Sequence, residues 1–595
     1  MCRIAGVINK SIPAEALEGL VKEMCTVQKH GGPDDEGIYT SVAHHLVLGH
    51  RRLSIIDLSA GGHQPMAYQN GRYLLTYNGE LYNYIALKET LKKAGCLFTT
   101  GSDTEVILAA FATWGVEAFK AFNGMFAFAL WDNETGDIFL VRDAGGIKPL
   151  YFAHTKEGLA FASEVRAFKK IPYLHAPNIN WPVYLMAYGH LPEPVTTLKD
   201  VQPLKKGWYL QYNVFTGSSN QKAFSRYSFI ENIDNRRQAI SMIQQSLAGA
   251  VKRHLLSDAP IGVFLSGGLD SSIIAKLANK EQSGLNTISL FFDDRQYSEK
   301  KYQDMVQTDL QGNQHQYLLK EDNFHADFPA VISAMDMPGC DGINTWFISK
   351  LAAQHGLKAV LSGVGGDELY GGYPSFNRIA PALLVQQHLS NALLKAERFT
   401  GLKNLRRTCY LSLPGSAGMY LFLRGQFIPR EIAQHLNASE KEVWQILQEQ
   451  PLLPDISNLT AKNQASWLEI NLYMQNQLLR DADVMSMAHG IEIRLPFLDT
   501  AFFKLSLQLC STIKYAGKLN KQLLIDSFKD MIPAPVWNRP KMGFSFPFKD
   551  WLARDQYAAS LTGKKNAGYH QKFVEGKLHW SQFLTIFLLQ NQHND

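Results

Sequence analysis

The sequence predicts two halves of different architecture: an α+β half with antiparallel sheets, followed by an α/β half with a doubly wound parallel sheet and a helical C-terminal region. Three observations lead to this prediction. Short apolar segments separated by Gly, Asn and Asp turns fill roughly the first two hundred residues, as in antiparallel sheet. Apolar strands then alternate with amphipathic helices, which indicates a parallel sheet covered on both faces. From about residue 375 onward the pattern is mostly helical.

The antiparallel half is predicted from strand pairs and two helices. Strand-like runs flank polar turns in "NGRYLLTYNGELYN", "GMFAFALWDNETGDIFLVRD" and "PLYFAHTKEGLAFAS". Helical patterns occupy residues 86–94 and 104–114. A segment rich in Ser, Asn and Gly, "YNVFTGSSNQKAFSRYS", has the composition of a linker. We therefore expect one domain over residues 1–215 and a second over residues 216–595.

Length and composition limit the classes of function. A chain of 595 residues exceeds what one hydrophobic core usually organises, and 46% hydrophobic with 19% charged residues is typical of a globular protein. The 59 basic and 54 acidic residues nearly balance and form no basic run, so nucleic-acid or membrane-surface binding has no compositional support. The N terminus lacks a secretory signal and no apolar run reaches about 20 residues, which predicts a cytoplasmic protein.

One cysteine differs from the others. The six cysteines form no CxxC pair and have no histidine at zinc-ligand spacing, which suits a reducing compartment. Five of them are expected to be core thiols. Removal of Met1 would leave Cys2 with both a nucleophilic side chain and a free α-amino group that can act as its base. By position alone, a cysteine without a function remains the better interpretation.

Two glycine-rich loops predict a phosphate site. In "GVFLSGGLDSS" a buried strand ends in a Ser-Gly-Gly turn, and a helix begins near Ser271 with unpaired N–H groups at its N terminus. The loop lacks the GxxxxGK[ST] pattern, which argues against a P-loop enzyme. A second loop, "AVLSGVGGDELYGGY", also follows an apolar strand. Asp270 and Asp367 of the two loops are hard oxygen ligands suited to sharing Mg²⁺.

The first loop resembles the pyrophosphate-binding motif of the ATP pyrophosphatase superfamily, and the whole chain resembles the glutamine-hydrolysing asparagine synthetase family. The resemblance implies an N-terminal-nucleophile glutaminase, a sandwich of antiparallel sheets, followed by a synthetase domain that adenylates a carboxylate with ATP. It also implies an apolar channel for ammonia and a homodimer. The motifs that carry it are "MCRIAGV", "HGGPDDEG", "HRRLSIIDL", "YNGELYNY", "TGSDTEVIL", "FNGMFAFALWD", "GIKPLYF", "FASEVRA", "YGHLPEP", "LSGGLDSS", "LSGVGGDELYGGY", "SMAHGIEIRLPFLD" and "NRPKMGFSFPFKDWL".

In the glutaminase, the resemblance implies that Cys2 is the nucleophile that forms a thioester with glutamine and releases ammonia. Arg52 would bind the glutamine carboxylate, and Glu80 and Asp103 would bind its amino group. The Asn78 side chain and the Gly79 N–H would stabilise the oxyanion. Taken singly, three of these have structural explanations: a surface ion pair at Arg52, a hairpin turn at Asn78-Gly79 and a helix cap at Asp103. Their joint occurrence with Cys2 favours the functional interpretation.

In the synthetase domain, the resemblance implies a nucleotide site and a catalytic lysine. The phosphates would be bound by Ser266, Gly267, Gly268, Asp270, Ser271 and Ser272. The adenosine would be lined by Leu265, Ser362 and Gly363. Asp270 and Asp367 would hold Mg²⁺, and Lys541 would stabilise charge on the acyl-adenylate, although an exposed loop lysine is the alternative interpretation.

The chain departs from the family pattern at several positions. Gly31 and Ala144 stand where arginines are common, and either change is expected to loosen the glutaminase framework without removing its activity. Val364 stands where well-recognised members carry a glutamate close to the reacting groups. In the segment "MDMPGCDGINTW", Met337 and Cys340 stand where the family sequence is more acidic. These changes leave the acceptor carboxylate open, with aspartate as the default.

Four functions remain open on the sequence. The first is a glutamine-dependent asparagine synthetase. The second keeps every step but amidates a sugar carboxylate or a natural-product acid. The third is an ATP-dependent ring-closing amide synthetase with a vestigial glutaminase, against which Cys2 argues. The fourth is a pseudoenzyme that acts as a binding partner, against which both Cys2 and the intact "SGGLDSS" argue.

Overall fold

The computed structural model describes residues 2–388, 403–449, 453–543, 546–560 and 567–591. The strands in these ranges are β1 (Arg3–Asn9), β2 (Asp35–Ser41), β3 (Leu46–Arg52), β4 (Met66–Tyr68), β5 (Tyr73–Leu81), β6 (Gly124–Asp132), β7 (Asp137–Arg142), β8 (Tyr151–His154), β9 (Gly158–Ala162), β10 (Gln202–Pro203), β11 (Trp208–Asn213), β12 (Ser219–Ala223), β13 (Ile261–Phe264), β14 (Asn286–Phe291), β15 (Gln314–Leu318), β16 (Ala359–Leu361) and β17 (Glu492–Arg494).

The α-helices in the same ranges are α1 (Ala14–Val27), α2 (Tyr84–Lys93), α3 (Asp103–Trp114), α4 (Trp181–Tyr188), α5 (Arg236–His254), α6 (Leu269–Glu281), α7 (Lys300–Gln307), α8 (Glu321–Ala334), α9 (Ile343–Gln354), α10 (Gly366–Tyr370), α11 (Ser375–His388), α12 (Gly415–Arg424), α13 (Pro429–Leu436), α14 (Glu440–Gln448), α15 (Ala461–Leu468), α16 (Leu479–Met487), α17 (Thr500–Gln508), α18 (Ser511–Lys514), α19 (Gln522–Phe528), α20 (Ala534–Trp537), α21 (Phe548–Arg554), α22 (Gln556–Ser560), α23 (Ala567–Val574) and α24 (Trp580–Asn591). A π-helical segment, Glu469–Leu478, joins α15 to α16. Short 3₁₀ segments lie at Lys29–Gly31, Ala60–Gly62, Gly115–Ala121, Val165–Lys170, Lys403–Ser412 and Pro496–Leu498.

The N-terminal half is a sandwich of two six-stranded antiparallel sheets. Their strand orders are β10-β8-β9-β1-β3-β2 and β12-β11-β7-β6-β5-β4. Because side chains alternate along a strand, Ile4 and Ile8 of β1 pack between the sheets, whereas Ala5 and Val7 pack on the side of α1. The second sheet is covered by α2 and α3, close to the two helices predicted there. The predicted α+β class is confirmed.

The C-terminal half is built on a five-stranded sheet with the order β15-β14-β13-β16-β17, in which all neighbours are parallel. The chain runs outward from β13 through β14 to β15, and then returns to β16 on the other side of β13. Ligands of open parallel sheets bind where the strand order reverses in this way. Both glycine-rich loops follow the two strands at the reversal, and the predicted α/β half with a helical C-terminal region is confirmed.

The segment expected to be a linker contains a strand. Ser219–Ala223 is β12, which pairs with β11 from Tyr212↔Ser219 to Trp208↔Ala223. Four of its five residues are exposed and none is fully buried, so this edge strand has the polar composition of a loop. The linker prediction is wrong for these residues, and the boundary expected after residue 215 cuts through a hairpin. We therefore propose that the N-terminal domain ends after β12.

The two halves share a core and several buried charges. One apolar cluster includes residues of α1 and β1 together with residues of the parallel sheet. Arg3 of β1 lies 2.9 Å from Asp483 of α16, and both side chains are buried. The backbone N–H groups of Val165 and Arg166 donate to Asp336 across the same boundary. Among the described residues, no helix has the length and hydropathy needed to cross a bilayer.

Leu130→Ala should destabilise the sandwich. Leu130 of β6 is fully buried, and its removal leaves a cavity that costs about 2–5 kcal/mol in the free energy of unfolding. Urea titration followed by circular dichroism measures this loss. The matched control is Leu97→Ala, because Leu97 is 83% exposed and its substitution should change the free energy by less than about 0.5 kcal/mol. Equal losses in the two variants would contradict the placement of Leu130 in the core.

Candidate functional site

Cys2 directly precedes β1 and is buried, with 8% of its surface exposed. Its backbone N–H donates to Asn78 Oδ1 at 3.2 Å, and its thiol donates to the Leu53 carbonyl oxygen at 3.9 Å. Burial raises the pKa of the thiol, whereas the charge of Arg52 lowers it. A buried thiol of this kind needs a local base to become a nucleophile.

Asn78 presents an unused amide donor next to the Cys2 backbone. It lies inside β5 and is fully buried, and its Nδ2 has no hydrogen-bond partner among the described residues. At Gly79 a Cβ atom would lie 2.2 Å from the Met125 carbonyl oxygen of β6, so only glycine fits. Because both residues are in the middle of a strand pair, the hairpin-turn interpretation is wrong. A buried donor without a partner is costly, and a ligand oxygen would satisfy it.

Arg52 ends β3 and is buried, so it is not a surface ion-pair residue. Its Nη1 donates to the Ser59 carbonyl oxygen at 2.9 Å, and its Nη2 donates to that of Asp57. No carboxylate pairs with it within the part of the chain that the structure describes. The guanidinium is therefore held in place by backbone groups while its charge stays available for an anionic ligand.

Asp103 is the first residue of α3, but it does not cap the helix. Ser102 is the N-cap and accepts from the Thr104 N–H, so the helix-cap interpretation of Asp103 is wrong. Asp103 Oδ2 instead accepts from the Tyr77 hydroxyl at 3.0 Å and from the Leu81 N–H at 2.9 Å. Burial raises the pKa of this carboxyl to about 6.

Glu80 is a second buried carboxylate near Cys2, and its partner was not predicted. Its Oε1 lies 3.4 Å from Nη2 of Arg494 in β17, and its Oε2 has no hydrogen-bond partner in the described ranges. Burial and the neighbouring Glu492 raise the pKa of Glu80 well above its ordinary value, against the effect of Arg494. The sequence feature that could have indicated a role for Arg494 is its charge within the largely apolar segment "IEIRLPF".

Gly31 is explained by Arg3. A Cβ atom at Gly31 would lie 2.7 Å from Arg3 Cγ, so the Arg3 side chain fills the space beside the glycine. Arg3 Nε pairs with Glu164 at 2.7 Å, and His30 Nε2 contacts the same carboxylate oxygen at 2.9 Å. The expected loosening at Gly31 is thus offset by an arginine from position 3. Nothing in the structure explains Ala144.

The first glycine-rich loop joins β13 to α6, which begins at Leu269, slightly earlier than predicted. Gly267 has φ of +84°, in the left-handed region that favours glycine, and Gly268 is the N-cap. The hydroxyls of Ser266 and Ser271 are 2.9 Å apart, and the Ser272 hydroxyl donates to the Gly268 carbonyl oxygen at 2.7 Å. The loop is therefore ordered by its own hydroxyl groups.

A cleft of about 1360 Å³ lies at the reversal of the parallel sheet. Its walls bring together most of the residues expected at the nucleotide site, namely Ser266, Gly268, Asp270, Ser271, Ser362, Gly363 and Asp367. Three expected residues are not part of its lining: Leu265, Gly267 and Ser272. Of these, Leu265 and Ser272 are fully buried. Lys541 lines the cleft and is partly exposed.

Two lysines bind the acidic residues of the two loops. Lys521 Nζ lies 2.5 Å from Asp270 Oδ2 and 2.5 Å from Asp367 Oδ1, and Lys541 Nζ lies 2.7 Å from Asp367 Oδ2. Burial opposes ionisation of Asp367, but the two lysines lower its pKa to about 2. Lys521 was not predicted, because it lies in "KLNKQ", which has no recognisable motif.

The two carboxylates fit a divalent cation. Asp270 Oδ1 is buried and has no hydrogen-bond partner among the described residues, so a ligand position is free. A Cβ atom at Gly366 would lie 2.6 Å from Asp270 Cγ, which shows how closely the second loop approaches the first. Within the described ranges, no group of three or more His, Cys, Asp or Glu side chains could hold a metal ion alone. Mg²⁺ would therefore need phosphate oxygens and water as further ligands.

The same cleft has charged and aromatic residues at positions that the sequence did not single out. The Asp341 carboxylate accepts from the Tyr473 hydroxyl at 3.2 Å and from the Gly342 N–H at 2.9 Å. The Arg424 guanidinium lies 3.6 Å from the centre of the Tyr473 ring, and its Nε pairs with Glu469 at 2.8 Å. Burial raises the pKa of Asp341.

The residues of the synthetase half that depart from the family pattern line this cleft or lie next to it. Val364 and Cys340 line it, and Met337 is buried in the adjoining core. The Cys340 thiol lies 3.0 Å from the Thr585 hydroxyl, so it has a structural partner. Valine adds an apolar surface to the lining where a glutamate was expected, and the neighbouring charges come from other elements.

Comparison with known proteins identifies both halves. Residues 1–227 match the model of the glutamine amidotransferase domain, and residues 242–575 match that of asparagine synthase. The chain is 30% identical to "Asparagine synthetase [glutamine-hydrolyzing] 1" of Bacillus subtilis, over 93% of this chain and 88% of that protein. It is 30% identical to "Putative asparagine synthetase [glutamine-hydrolyzing]" of Mycobacterium bovis, over 96% and 91%. The chain therefore belongs to the asparagine synthase family, as a glutamine-dependent carbon–nitrogen ligase with an N-terminal amidotransferase domain.

Proposed function

We propose that the chain hydrolyses glutamine at Cys2 and uses the ammonia to amidate the side-chain carboxylate of aspartate, which it first activates with ATP. The products are asparagine, glutamate, AMP and pyrophosphate. The observation that carries the proposal is the pair of centres in one chain: a buried thiol beside a free amide donor, and two lysine-bound carboxylates at the reversal of the parallel sheet. The names of the relatives support the same reaction.

Glutamine hydrolysis follows from the groups around Cys2. Once Met1 is removed, the α-amine takes the thiol proton, and the thiolate attacks the amide carbon of glutamine. The Asn78 Nδ2 and the Gly79 N–H donate to the oxyanion that forms. Its collapse breaks the carbon–nitrogen bond, returns the proton to the leaving ammonia and leaves a thioester. Water then hydrolyses the thioester to glutamate.

Recognition of glutamine uses the charged groups of the same site. Arg52 binds the α-carboxylate, since its guanidinium has no carboxylate partner among the described residues. Glu80 and Asp103 accept from the α-ammonium group. Binding this cation favours the ionised form of both carboxyls, whose pKa values burial raises in the absence of ligand. The site thus selects a free amino acid and disfavours a glutamine inside a peptide.

Adenylation takes place in the cleft of the second half. The N terminus of α6 and the hydroxyls of Ser266 and Ser271 bind phosphate oxygens, with Gly267 and Gly268 allowing close approach. Ser362 and Gly363 line the adenosine, whereas Leu265 and Ser272 support the loop from its buried side. The aspartate carboxylate attacks the α-phosphorus and pyrophosphate leaves; ammonia then attacks the acyl carbon and AMP leaves. Lys541 stabilises the charge that develops in both steps.

Asp270 and Asp367 would hold Mg²⁺ when ATP is bound. The cation supplies charge neutralisation for the phosphates. Lys521 keeps the two loops together without it, because one ammonium group pairs with both carboxylates. The second loop is thereby positioned against the first before ATP arrives.

The acceptor is assigned from charges elsewhere in the cleft. An amino-acid acceptor has an ammonium group, for which Asp341 is the buried carboxylate partner, and an α-carboxylate, for which Arg424 is the cation. The family glutamate that Val364 replaces is therefore not needed for recognition of the amino group. These charges favour aspartate over a sugar acid, which has no ammonium group.

The direct test measures both half-reactions of the purified protein. Glutamine alone should give glutamate. ATP, Mg²⁺ and aspartate with an ammonium salt should give asparagine, AMP and pyrophosphate in equal amounts. Absence of glutamate would exclude the glutaminase, and pyrophosphate release with another carboxylic acid but not with aspartate would exclude the assigned acceptor.

Cys2→Ala should abolish synthesis from glutamine and leave synthesis from ammonium salts within about twofold of the wild type. The reason is that only the first half-reaction needs a nucleophile. Coupled assays of glutamate and pyrophosphate separate the two activities. Cys25→Ala is the control, since Cys25 is a buried thiol of α1 whose pKa burial raises to about 12. Loss of both activities in Cys2→Ala alone would overturn the division of labour.

Asp270→Asn should reduce pyrophosphate release by a factor of about 10² or more and leave basal glutaminase unchanged. The substitution removes a charge needed at the phosphates but does not touch the antiparallel half. Asp309→Asn is the control, because Asp309 is 69% exposed and its ion-pair partner within the described ranges is Lys276. Normal AMP formation by Asp270→Asn would refute its assigned role.

Asp341→Asn should raise the KM for aspartate about 10- to 100-fold, because a charge-assisted hydrogen bond is lost. The KM for ATP and the glutaminase activity should stay within about twofold. Initial rates of pyrophosphate release at varied aspartate measure the effect. Asp327→Asn serves as the control, since Asp327 pairs with Lys350 and does not line the cleft. An unchanged KM for aspartate would argue for a different acceptor.

A further inference from the structure

Strand β17 separates the two reactive centres. Ile493 lines the nucleotide cleft, whereas Arg494 reaches Glu80 in the antiparallel half. This is the alternation expected of a strand, whose successive side chains point to opposite faces. Two consecutive residues of this edge strand thus contact the two sites, one site each.

The backbone of Arg494 is bonded to the second glycine-rich loop. β17 pairs with β16 in register, with Leu361 opposite Arg494, and the Ser362 N–H donates to the Arg494 carbonyl oxygen at 2.9 Å. Ser362 is the first residue of the loop that is assigned to the adenosine. A nucleotide that fixes this loop therefore also fixes the backbone of Arg494.

The side chain of Arg494 is buried and contacts groups on three elements, β17, α5 and β5. Its Nε donates to Glu492 Oε1 at 2.5 Å, its Nη1 donates to the His254 carbonyl oxygen at 2.9 Å, and its Nη2 lies 3.4 Å from Glu80 Oε1. The Glu80 contact is longer than a normal charge-assisted hydrogen bond. A displacement of β17 relative to β5 would weaken this contact further, whereas Glu492 moves with Arg494 because both belong to β17.

We infer that Arg494 is a positioning residue that couples nucleotide binding at the Ser362 loop to glutamine binding at Glu80. The inference rests on the proposed function, in which Glu80 accepts from the α-ammonium of glutamine. When the nucleotide holds the loop, Arg494 stays opposite Glu80, where its charge favours the ionised carboxylate that accepts from the α-ammonium group. Glutamine then binds more tightly when ATP is present, so that ammonia is released when an adenylate can use it.

The test compares glutaminase kinetics with and without ATP and Mg²⁺, in the absence of an acceptor. In the wild type, ATP should lower the KM for glutamine by about fivefold or more, the scale of ordinary allosteric coupling. Arg494→Lys keeps the charge but loses the planar fork that contacts several groups at once. In this variant the effect of ATP on KM should fall below about twofold, while synthesis from ammonium salts stays within about twofold of the wild type.

Arg166→Lys is the matched control. Arg166 also crosses the boundary between the halves, where its Nε lies 3.4 Å from Asp336, but it contacts neither Glu80 nor Ser362. This variant should keep the full effect of ATP. Loss of the effect in both variants would show a general loosening of the interface and would overturn the inference. Should Arg494→Lys be insoluble, Glu492→Gln removes the charge that pairs with Arg494 Nε and should also reduce the ATP effect.

The outcomes separate the inference from the proposal beneath it. A wild type that forms no glutamate refutes the proposed function. A wild type that hydrolyses glutamine with one KM, whether or not ATP is present, refutes the inference alone. Retention of the ATP effect by Arg494→Lys also refutes it alone. Loss of the ATP effect in Arg494→Lys with retention in Arg166→Lys supports the coupling.

Discussion

Buried arginines that pair across the two halves hold the molecule in the arrangement on which both centres depend. Burying a guanidinium is costly unless carboxylates and carbonyl groups surround it. Arg3 meets this condition only with Glu164 from its own half and Asp483 from the other. Arg494 likewise needs Glu492 beside it and Glu80 across the boundary. Separation of the halves would remove Asp483 from Arg3 and Glu80 from Arg494, so these pairs favour one relative position of the domains.

The same principle orders the nucleotide site. Asp270 and Asp367 approach each other because glycine at position 366 leaves room, and their like charges would repel without a cation between them. Lys521 supplies that cation from a distant part of the chain. The proposed nucleotide site is therefore built around a negative pair whose charge is balanced by two ammonium groups, those of Lys521 and Lys541.

Local patterns predicted the parts of the fold that depend on neighbours in sequence. The two glycine-rich loops, the strands before them and α3 follow from turn residues and apolar periodicity. The partners Lys521, Arg494 and Asp341 could not be predicted in this way, because their roles arise from contacts between residues more than a hundred positions apart or between separate domains. β12 was missed for a different reason: an exposed edge strand needs no apolar face, so its sequence has the composition of a loop.

The proposed function separates recognition of the acceptor from position 364, where valine replaces the family glutamate. A glutamate at this position would add a further carboxylate to a cleft whose lining already includes the acidic residues Asp270, Asp367 and Glu368. Mutual repulsion among such groups raises their pKa values, and burial together with Asp367 already raises that of Glu368 to about 7. Asp341 accepts from the Tyr473 hydroxyl, and the nearby Arg424 lowers its pKa against the effect of burial. In the proposed function the amino-group partner lies on a separate element, so position 364 is free to be apolar and the acceptor would be selected by charges that the loop motif does not contain.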